Sequence, residues 1–455
     1  MRHPSRRDLL KTGAIGGLGI TGLSFASPAS AQSQEGGTEQ WALETANYIF
    51  SSPTVAGTTV YVGSRDGNLY AADAATGDEE WRFEAGNDVN SSPAAADGTV
   101  YVGSSDGNLY AVDAATGDEE WRFETGGPVF SSPTAASGTV YVGSRDESLY
   151  AVDAATGDEE WRFETGLEVD SSPTVANGTV YVGSSDENLY AVDATTGEQE
   201  WRFGADNIFS SPTVANGTVY VGSYYFYALD AATGEQQWRF ENTDGVASSP
   251  TVAEGVVYIG TNARSLYALD AETGEEQWGF ETGAGVSSSP TVAGSTVYVG
   301  SDDENLYAVN AATGDEKWHF ETGGTVFSSP TVANGTVYVG SNDGNLYGIS
   351  AAVEGSSEGS RVVLRTLGHY DPRNGAGADA AADDTTPTST DPATNDTTPA
   401  STDSTPSGSD ESVSGSGADA TTPGGGTPGF SIPGALAGLG GTGYLLWSRL
   451  NGEDD

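Results

Sequence analysis

The chain has 455 residues, of which 65 are Asp or Glu and 17 are Lys or Arg, and its formal net charge is -48. This excess of carboxylates repels phosphate groups, which argues against binding to nucleic acids or to anionic lipid surfaces. The sequence contains no Cys, so disulfides, thiolate metal sites, covalent haem attachment and a cysteine nucleophile are excluded.

The charge also indicates the solvent in which the protein works. Repulsion between carboxylates destabilises a compact fold in dilute salt, but at molar ionic strength the Debye length falls to about 3 Å and the repulsion is screened. Lysine is nearly absent, since Lys11 and Lys317 are the only two. This composition resembles that of proteins from salt-loving archaea. An acidic bacterial surface protein is the alternative.

Residues 1–31 are predicted to be a secretion signal. Arg6-Arg7 precede a Gly-rich apolar stretch that ends at Phe25, and Ala29-Ser30-Ala31 supplies the small residues of a signal peptidase site. The segment resembles a twin-arginine signal, which implies export of an already folded protein. An uncleaved amphipathic helix is the alternative.

The middle of the chain repeats one unit eight times. Each unit holds short runs of β-branched and aromatic residues bounded by Gly or Asp, such as 99–103 and 108–112. A period of about 40 residues with this local pattern predicts a four-stranded propeller blade, with strands A to D. One Trp marks each unit, at intervals of 40, 40, 40, 40, 37, 40 and 40 residues: Trp41, Trp81, Trp121, Trp161, Trp201, Trp238, Trp278 and Trp318.

The most specific feature of the unit is an eleven-residue motif, Ala71-x-Asp73-x-x-Thr76-Gly77-x-x-x-Trp81. Six copies keep every motif position, and a seventh has Asn310 in place of Asp. The motif resembles the tryptophan-docking motif of pyrroloquinoline-quinone-like (PQQ-like) repeats, found in quinoprotein dehydrogenases and in the outer-membrane assembly lipoprotein BamB. The resemblance covers residues 37–350.

The motif has a structural interpretation. Gly accepts the positive φ that a tight turn requires, Asp can bond the turn amides, and an indole buries roughly 150–250 Å² between blades. We therefore interpret all eight tryptophans as contacts between blades and expect no cofactor there. The resemblance to quinoprotein dehydrogenases implies PQQ and Ca²⁺ as the alternative. In that family, long insertions carry the Ca²⁺ ligands and a catalytic Asp, and the near-identical blades leave no room for them.

The ends of the repeat array predict how the ring closes. The last unit has no Trp after its strand C, whereas 37–41 precedes the first unit and is similar to 234–238. The N-terminal strand should therefore complete the last blade, and a strand at 361–365 is the rival. The predicted fold is all-β: an eight-bladed β-propeller of four-stranded antiparallel blades over residues 37–352.

The eight units differ unequally between the two faces of the predicted disc. The A–B and C–D turns hardly vary, whereas the B–C turns and the D-to-A connections vary most, and all three residues lost in the 37-residue unit fall among them. We name these turns and connections the variable face and predict it to be the ligand or partner surface. Neutral drift of turn tips is the alternative. The candidate binding residues are Phe50, Phe130, Phe209, Phe327, Tyr224, Tyr225, Arg65, Arg145 and Arg264.

No residue is predicted to be catalytic or to bind a metal. His319, the only His of the propeller, takes the position that Arg82 holds in its own blade, which suggests an outward strand residue. The run 302–304 is acidic and could hold Ca²⁺ weakly, but related Asp-Gly pairs are typical of hairpin turns. Asn-x-Ser/Thr sequences predict possible glycosylation at Asn90, Asn177, Asn216, Asn334 and Asn395.

The C-terminal part is predicted to attach the propeller to a membrane. After a connecting segment, 353–375, residues 376–428 are dominated by Ala, Asp, Thr, Ser, Pro and Gly, which predicts a disordered stalk. Residues 429–455 follow Pro428 and contain a weakly apolar run, 430–447. They resemble the Pro-Gly-Phe sorting signals of archaeal surface proteins, in which an archaeosortase replaces the tail by a lipid. An uncleaved membrane anchor and a disordered tail are the alternatives.

Together these features predict an exported, monomeric propeller that is anchored at the cell surface, to the membrane or to the S-layer, and that binds or scaffolds without catalysis. Its partner would be an unknown surface protein or a glycan. A PQQ-dependent quinoprotein dehydrogenase and a glycan-binding surface module are the two alternatives.

Overall fold

The computed structural model describes residues 36–205, 208, 210–241, 243–352 and 356–357. Within them the chain forms 32 β-strands in eight four-stranded antiparallel sheets. Innermost strands of consecutive sheets lie side by side, and those of the first and last sheets also meet, so the sheets form a closed ring. The predicted eight-bladed β-propeller is confirmed. The predicted signal, stalk and sorting signal lie outside the described residues.

Each blade runs from the inner strand A to the outer strand D, and blades are numbered 1 to 8 from the first strand A. The A strands are β2 (Thr54–Ala56), β6 (Ala94–Ala96), β10 (Thr134–Ala136), β14 (Thr174–Ala176), β18 (Thr213–Ala215), β22 (Thr251–Ala253), β26 (Thr291–Ala293) and β30 (Thr331–Ala333). The B strands are β3 (Thr59–Gly63), β7 (Thr99–Gly103), β11 (Thr139–Ser144), β15 (Thr179–Ser184), β19 (Thr218–Gly222), β23 (Val256–Thr261), β27 (Thr296–Gly300) and β31 (Thr336–Gly340). The C strands are β4 (Asn68–Asp73), β8 (Asn108–Asp113), β12 (Ser148–Asp153), β16 (Asn188–Asp193), β20 (Phe226–Asp230), β24 (Ser265–Asp270), β28 (Asn305–Asn310) and β32 (Asn345–Ser350). The D strands are β5 (Glu79–Glu84), β9 (Glu119–Glu124), β13 (Glu159–Glu164), β17 (Gln199–Gly204), β21 (Gln236–Phe240), β25 (Glu276–Glu281), β29 (Glu316–Glu321) and β1 (Glu39–Glu44).

A bulge in the C–D pairing orients the outer strand. In blade 1, Ala71 pairs with Trp81 but Ala72 pairs with Glu79, so Glu80 has no partner of its own. The extra residue lets Glu79 and Glu80 both face solvent, while Trp81, which follows them, faces the next blade. The strongly acidic sequence of strand D is therefore compatible with a Trp that packs between blades.

The first strand of the chain closes the ring, as predicted. β1 pairs with β32, so blade 8 takes its strand D from the N-terminal end and its other three strands from the C-terminal end. Gly37, with φ of 76°, packs under the Trp318 indole as the turn glycines do in the other blades. The rival segment 361–365 lies outside the described residues, and the place that it would take beside β32 is filled by β1.

A ring of hydrogen bonds joins all eight blades around the channel. In each Ser-Ser-Pro, the backbone N–H of the second Ser donates to the hydroxyl oxygen of the matching Ser in the next blade, at 2.9–3.0 Å. The last bond runs from Ser329 to Ser52 and completes the circle. The repeated Ser-Ser-Pro is therefore an inter-blade contact, and its hydroxyls are occupied.

A second series of hydrogen bonds between blades lacks one member. The hydroxyl of the Thr that follows Ser-Ser-Pro donates to the Pro carbonyl of the next blade in seven blades, as from Thr54 to Pro93. In blade 2 the position is Ala94, which has no hydroxyl.

Replacing Ala94 by Thr should raise the free energy of unfolding by about 1 kcal/mol, because it adds one buried hydrogen bond, to Pro133. Chemical denaturation followed by circular dichroism measures the change. The matched control is Ala94→Val, which has the shape of Thr without the hydroxyl. An equal gain in both variants would show that packing, and not the hydrogen bond, matters at this position.

Candidate functional site

The predicted tryptophan contacts occupy the boundaries between blades. In seven cases the indole N–H donates to an alanine carbonyl of the next blade at 3.0–3.2 Å, as from Trp81 to Ala114. The indole also covers the Gly of the next Thr-Gly turn, and a Cβ built on Gly117 would lie 2.8 Å from the Trp81 ring. Both the ring face and the N–H are thus used within the fold.

Half-buried aspartates stabilise the turns of the variable face. In six B–C turns an Asp accepts a hydrogen bond from the Tyr hydroxyl four residues later, at 2.6–2.8 Å. The same Asp accepts the amide N–H of the preceding D-to-A connection, as Asp106 does from Gly86 at 2.7 Å. Burial and the Asp106 contact raise the pKa of Tyr110 to about 12. These turns are therefore structural, and the turns of blades 5 and 6 carry Tyr225 and Ala263 in place of the Asp.

Three of the predicted binding residues meet between blades 8 and 1. The rings of Phe50 and Phe327 are 5.4 Å apart, and the Arg65 guanidinium lies 5.3 Å from the Phe50 ring. Arg65 also forms an ion pair with Asp88 of the next connection, at 2.8 Å. The result is a half-buried aromatic patch whose cation is already paired.

Two further residues form a similar group in blade 3. The Arg145 guanidinium lies 4.0 Å from the Phe130 ring, and its Nε is 3.0 Å from a carboxylate oxygen of Asp170. Burial raises the pKa of Asp170, and the charge of Arg145 opposes that rise. The ion pair of Arg145 and Asp170 links blade 3 to the connection that precedes strand A of blade 4.

Tyr224, Tyr225 and Arg264 lie elsewhere on the variable face. Tyr224 and Tyr225 pack edge to face at 5.0 Å, and the guanidinium over Tyr225 is that of Arg239, at 5.1 Å. Arg264 is exposed at the tip of its turn. Phe209 lies outside the described residues.

The repeat pattern did not single out Tyr48 and Leu167, which are both exposed. Tyr48, Leu167 and Tyr224 are 46%, 44% and 53% exposed, and they are the exposed large hydrophobic side chains in the described part of the chain. All three lie on the variable face. The signal was present in the sequence, since Leu167 stands where the matching connections have Asn47 or Asn87.

Asp302 is a second carboxyl of the variable face with a raised pKa. Burial, and then the charge of Asp303, raise the pKa of Asp302 to about 6. Its Oδ1 is buried without a hydrogen-bond partner among the described residues. Asn262 and Asn342 take the same position in the two neighbouring blades, so an amide fits there.

Replacing Asp302 by Asn should therefore raise the thermal midpoint at pH 8 and leave it nearly unchanged at pH 4. An unfolded Asp titrates near pH 4, so the folded state keeps its proton from about pH 4 to 6 and loses stability as the pH rises through that window. The matched control is Glu304→Gln in the same turn, which is exposed. A midpoint that shifts equally at both pH values would contradict the raised pKa.

The structure gives the positions of the candidate metal ligands and of four of the five candidate glycosylation sites. In the described ranges no group of three or more His, Cys, Asp and Glu side chains is arranged to hold a metal ion. His319 is exposed, with Nδ1 2.8 Å from Glu316. Three glycosylation candidates, Asn177, Asn216 and Asn334, are exposed at A–B turn tips, while Asn90 is half-buried and donates to Ser105. The fifth, Asn395, lies outside the described residues.

The described strands and contacts define an eight-bladed β-propeller with tryptophan-docked blades. The family model for the outer membrane protein assembly factor BamB, a PQQ-like repeat model, matches residues 27–135, 125–223, 205–284 and 265–357. The chain belongs to this PQQ-like repeat family. No curated protein matches the chain.

Solved structures share the fold at low sequence identity. BamB from Moraxella catarrhalis is 20% identical, with 69% of this chain and 99% of that chain covered and a TM-score of 0.59. A europium-containing methanol dehydrogenase is 15% identical, with 69% and 93% covered and a TM-score of 0.60. The computationally designed Ika8 protein is 16% identical, with 70% and 99% covered and a TM-score of 0.62. Such likeness establishes the fold alone.

Among the described residues, none lies in a helix long and apolar enough to span a bilayer.

Proposed function

We propose that this chain is a non-catalytic, exported cell-surface propeller that binds or scaffolds a partner through its variable face. One observation carries the proposal: the turns of one face are nearly identical in all blades, whereas the other face holds the varied residues and the exposed Tyr48, Leu167 and Tyr224. All three of these exposed apolar side chains lie on the same face, which favours that face as the interaction surface.

The proposed location is the outer surface of a cell that lives in high salt. It rests on the twin-arginine-like segment 1–31, on the stalk and sorting signal of 376–455, and on the net charge of -48. Sugars at Asn177, Asn216 and Asn334 would lie on the turn tips opposite the variable face and would leave it free. The propeller is proposed to act as a monomer.

Complex formation in the membrane fraction of the source cells tests the proposal. Changing Tyr48, Leu167 and Tyr224 together to Ser should shift the protein from a complex to the size of the free chain in size-exclusion chromatography. The matched control changes Ala75, Ala115 and Ala155, which are exposed on C–D turns, to Ser. An unchanged complex in the first variant would refute a docking role for this face.

A quinoprotein dehydrogenase is the catalytic alternative, because a methanol dehydrogenase shares the fold. Against it, the described blades are joined by short turns, and six of the eight B–C turns use their Asp to bond Tyr and a backbone amide. Titration of the purified protein with PQQ and Ca²⁺ in molar salt distinguishes the two. Stoichiometric binding with dye-linked alcohol oxidation would establish the enzyme.

A further inference from the structure

One place on the variable face departs from the repeat more than any other. In seven units the third residue after the Trp is Glu, but in blade 4 it is Gly204. One residue is missing from the connection that follows Ala205, and two are missing from the next B–C turn, before Phe226. These departures lie within a single pair of neighbouring blades.

Gly204 and Ala205 line a shallow depression of about 380 Å³ on blades 4 and 5. Its lining residues are Asp186, Glu187, Asn188, Gly204, Ala205 and Tyr227. In blade 1 the residue that pairs with Asn68 is Glu84, and the corresponding partner of Asn188 is Gly204. A Cβ on Gly204 would meet only Asn188 Oδ1, at 3.9 Å, so the missing Glu side chain leaves this space open.

Two acceptor groups of the depression have no donor among the described residues. Asn188 Oδ1 and the Glu187 carboxylate receive no hydrogen bond from any described residue, whereas Asp186 already accepts from Tyr190 and from the Gly166 amide. Those hydrogen bonds outweigh burial and hold the pKa of Asp186 below its usual value. Asn188 Oδ1 and the Glu187 carboxylate therefore favour a ligand that presents donors.

An aromatic cluster begins at one edge of the depression. Tyr227, itself buried, is one of the lining residues, the Tyr225 ring lies 6.4 Å from that of Tyr227, and Tyr224 packs on Tyr225 with half of its surface exposed. The Arg239 guanidinium already lies 5.1 Å from the Tyr225 ring. Because Arg239 already covers this ring, a ligand cation has no place over it, and the aromatic edge favours a neutral ligand with an apolar face.

We propose that the depression between blades 4 and 5 is a saccharide-binding subsite. Sugar hydroxyls would donate to Asn188 Oδ1 and Glu187, and the C–H face of the ring would lie against the tyrosine cluster. The inference rests on the proposed function, since it assigns a glycan as a partner of the variable face. Its new content is the position of the site, at the blade boundary where the repeat is broken.

Titration calorimetry of the full chain with maltotriose, mannotriose and chitotriose tests the subsite. At least one trisaccharide should bind, and Gly204→Glu should weaken binding at least tenfold, because it restores the residue of the other seven blades and fills the space. The same change replaces a strand glycine and should leave the thermal midpoint equal or higher. Gly204→Gln should act like Glu, whereas Gly204→Ala should bind like wild type.

The variants separate the possible failures. No binding of any of the three sugars, or equal binding by Gly204→Glu, would overturn the subsite. Tighter binding of a cationic probe, spermidine, by Gly204→Glu would replace the saccharide by an amine. If the sugars fail while the Tyr48, Leu167 and Tyr224 variant still loses its complex, the subsite is wrong and the proposed docking face stands.

Discussion

Deleting β1, residues 39–44, should abolish the single cooperative unfolding transition of the propeller. The deletion leaves blade 8 with three strands, exposes the backbone groups of β32 from Asn345 to Ile349, and removes the Trp41 contact with Ala74. An open strand edge also pairs readily with other chains. Circular dichroism melts and size-exclusion chromatography should show a broad, early transition and aggregation.

The control for this deletion removes six residues from the predicted stalk, 376–381, and should melt like wild type. If the variant without β1 kept the wild-type midpoint and remained monomeric, ring closure by the N-terminal strand would be wrong. This prediction carries the largest expected effect because a whole strand and both of its contacts are lost.

Replacing Trp121 by Ala should lower the free energy of unfolding by about 3–5 kcal/mol. The indole lies 5.7 Å from the Tyr101 ring, covers Gly157 and donates to the Ala154 carbonyl at 3.1 Å. Trp121→Phe is the matched variant. It keeps a ring but loses the hydrogen bond, worth about 1 kcal/mol, and part of the buried surface, so its loss should lie between those of wild type and Trp121→Ala.

Guanidinium denaturation of both variants measures these losses. A loss below about 1 kcal/mol for Trp121→Ala would mean that the tryptophans do not hold the blades together. The role assigned to the repeated Trp as a structural contact would then fail, and a binding role at the blade boundaries would have to be reconsidered.

Much of the fold follows from the sequence because the signals are repeated. A single stretch such as 99–103 is ambiguous, but eight similar stretches at one period determine strand number, blade number and the pairing of the two chain ends. The resemblance of 37–41 to 234–238 was enough to predict that β1 completes blade 8. Local patterns that are repeated eight times thus predict how the ring of blades closes.

Contacts between blades could not be predicted in the same way. The ring from Ser329 to Ser52 joins residues 277 positions apart, and only the folded geometry brings that N–H and hydroxyl together. Arg65 and Arg145 looked like free cations of a binding surface. Their pairing with Asp88 and Asp170 depends on how far each side chain reaches into the next connection.

The sequence predicted which face holds the candidate site, but it did not predict which side chains form that site. Comparing the copies located the variable face, because its turns and connections differ from unit to unit. It did not show that Gly204 and Tyr227 line one depression, since they are 23 positions apart in sequence. Nor did it show that Arg239, and not Arg264, covers Tyr225.

Site-specific photo-crosslinking in the source cells tests the central claim most directly. A photoreactive residue is placed at Tyr48, Leu167 or Tyr224 on the variable face, or at Ala75 or Ala115 on the opposite face. Mass spectrometry then identifies what each position captures. We expect the three variable-face positions to capture one common surface partner or glycan and the two others to capture none. Equal capture from both faces, or capture from Ala75 and Ala115 alone, would contradict a docking role for the variable face.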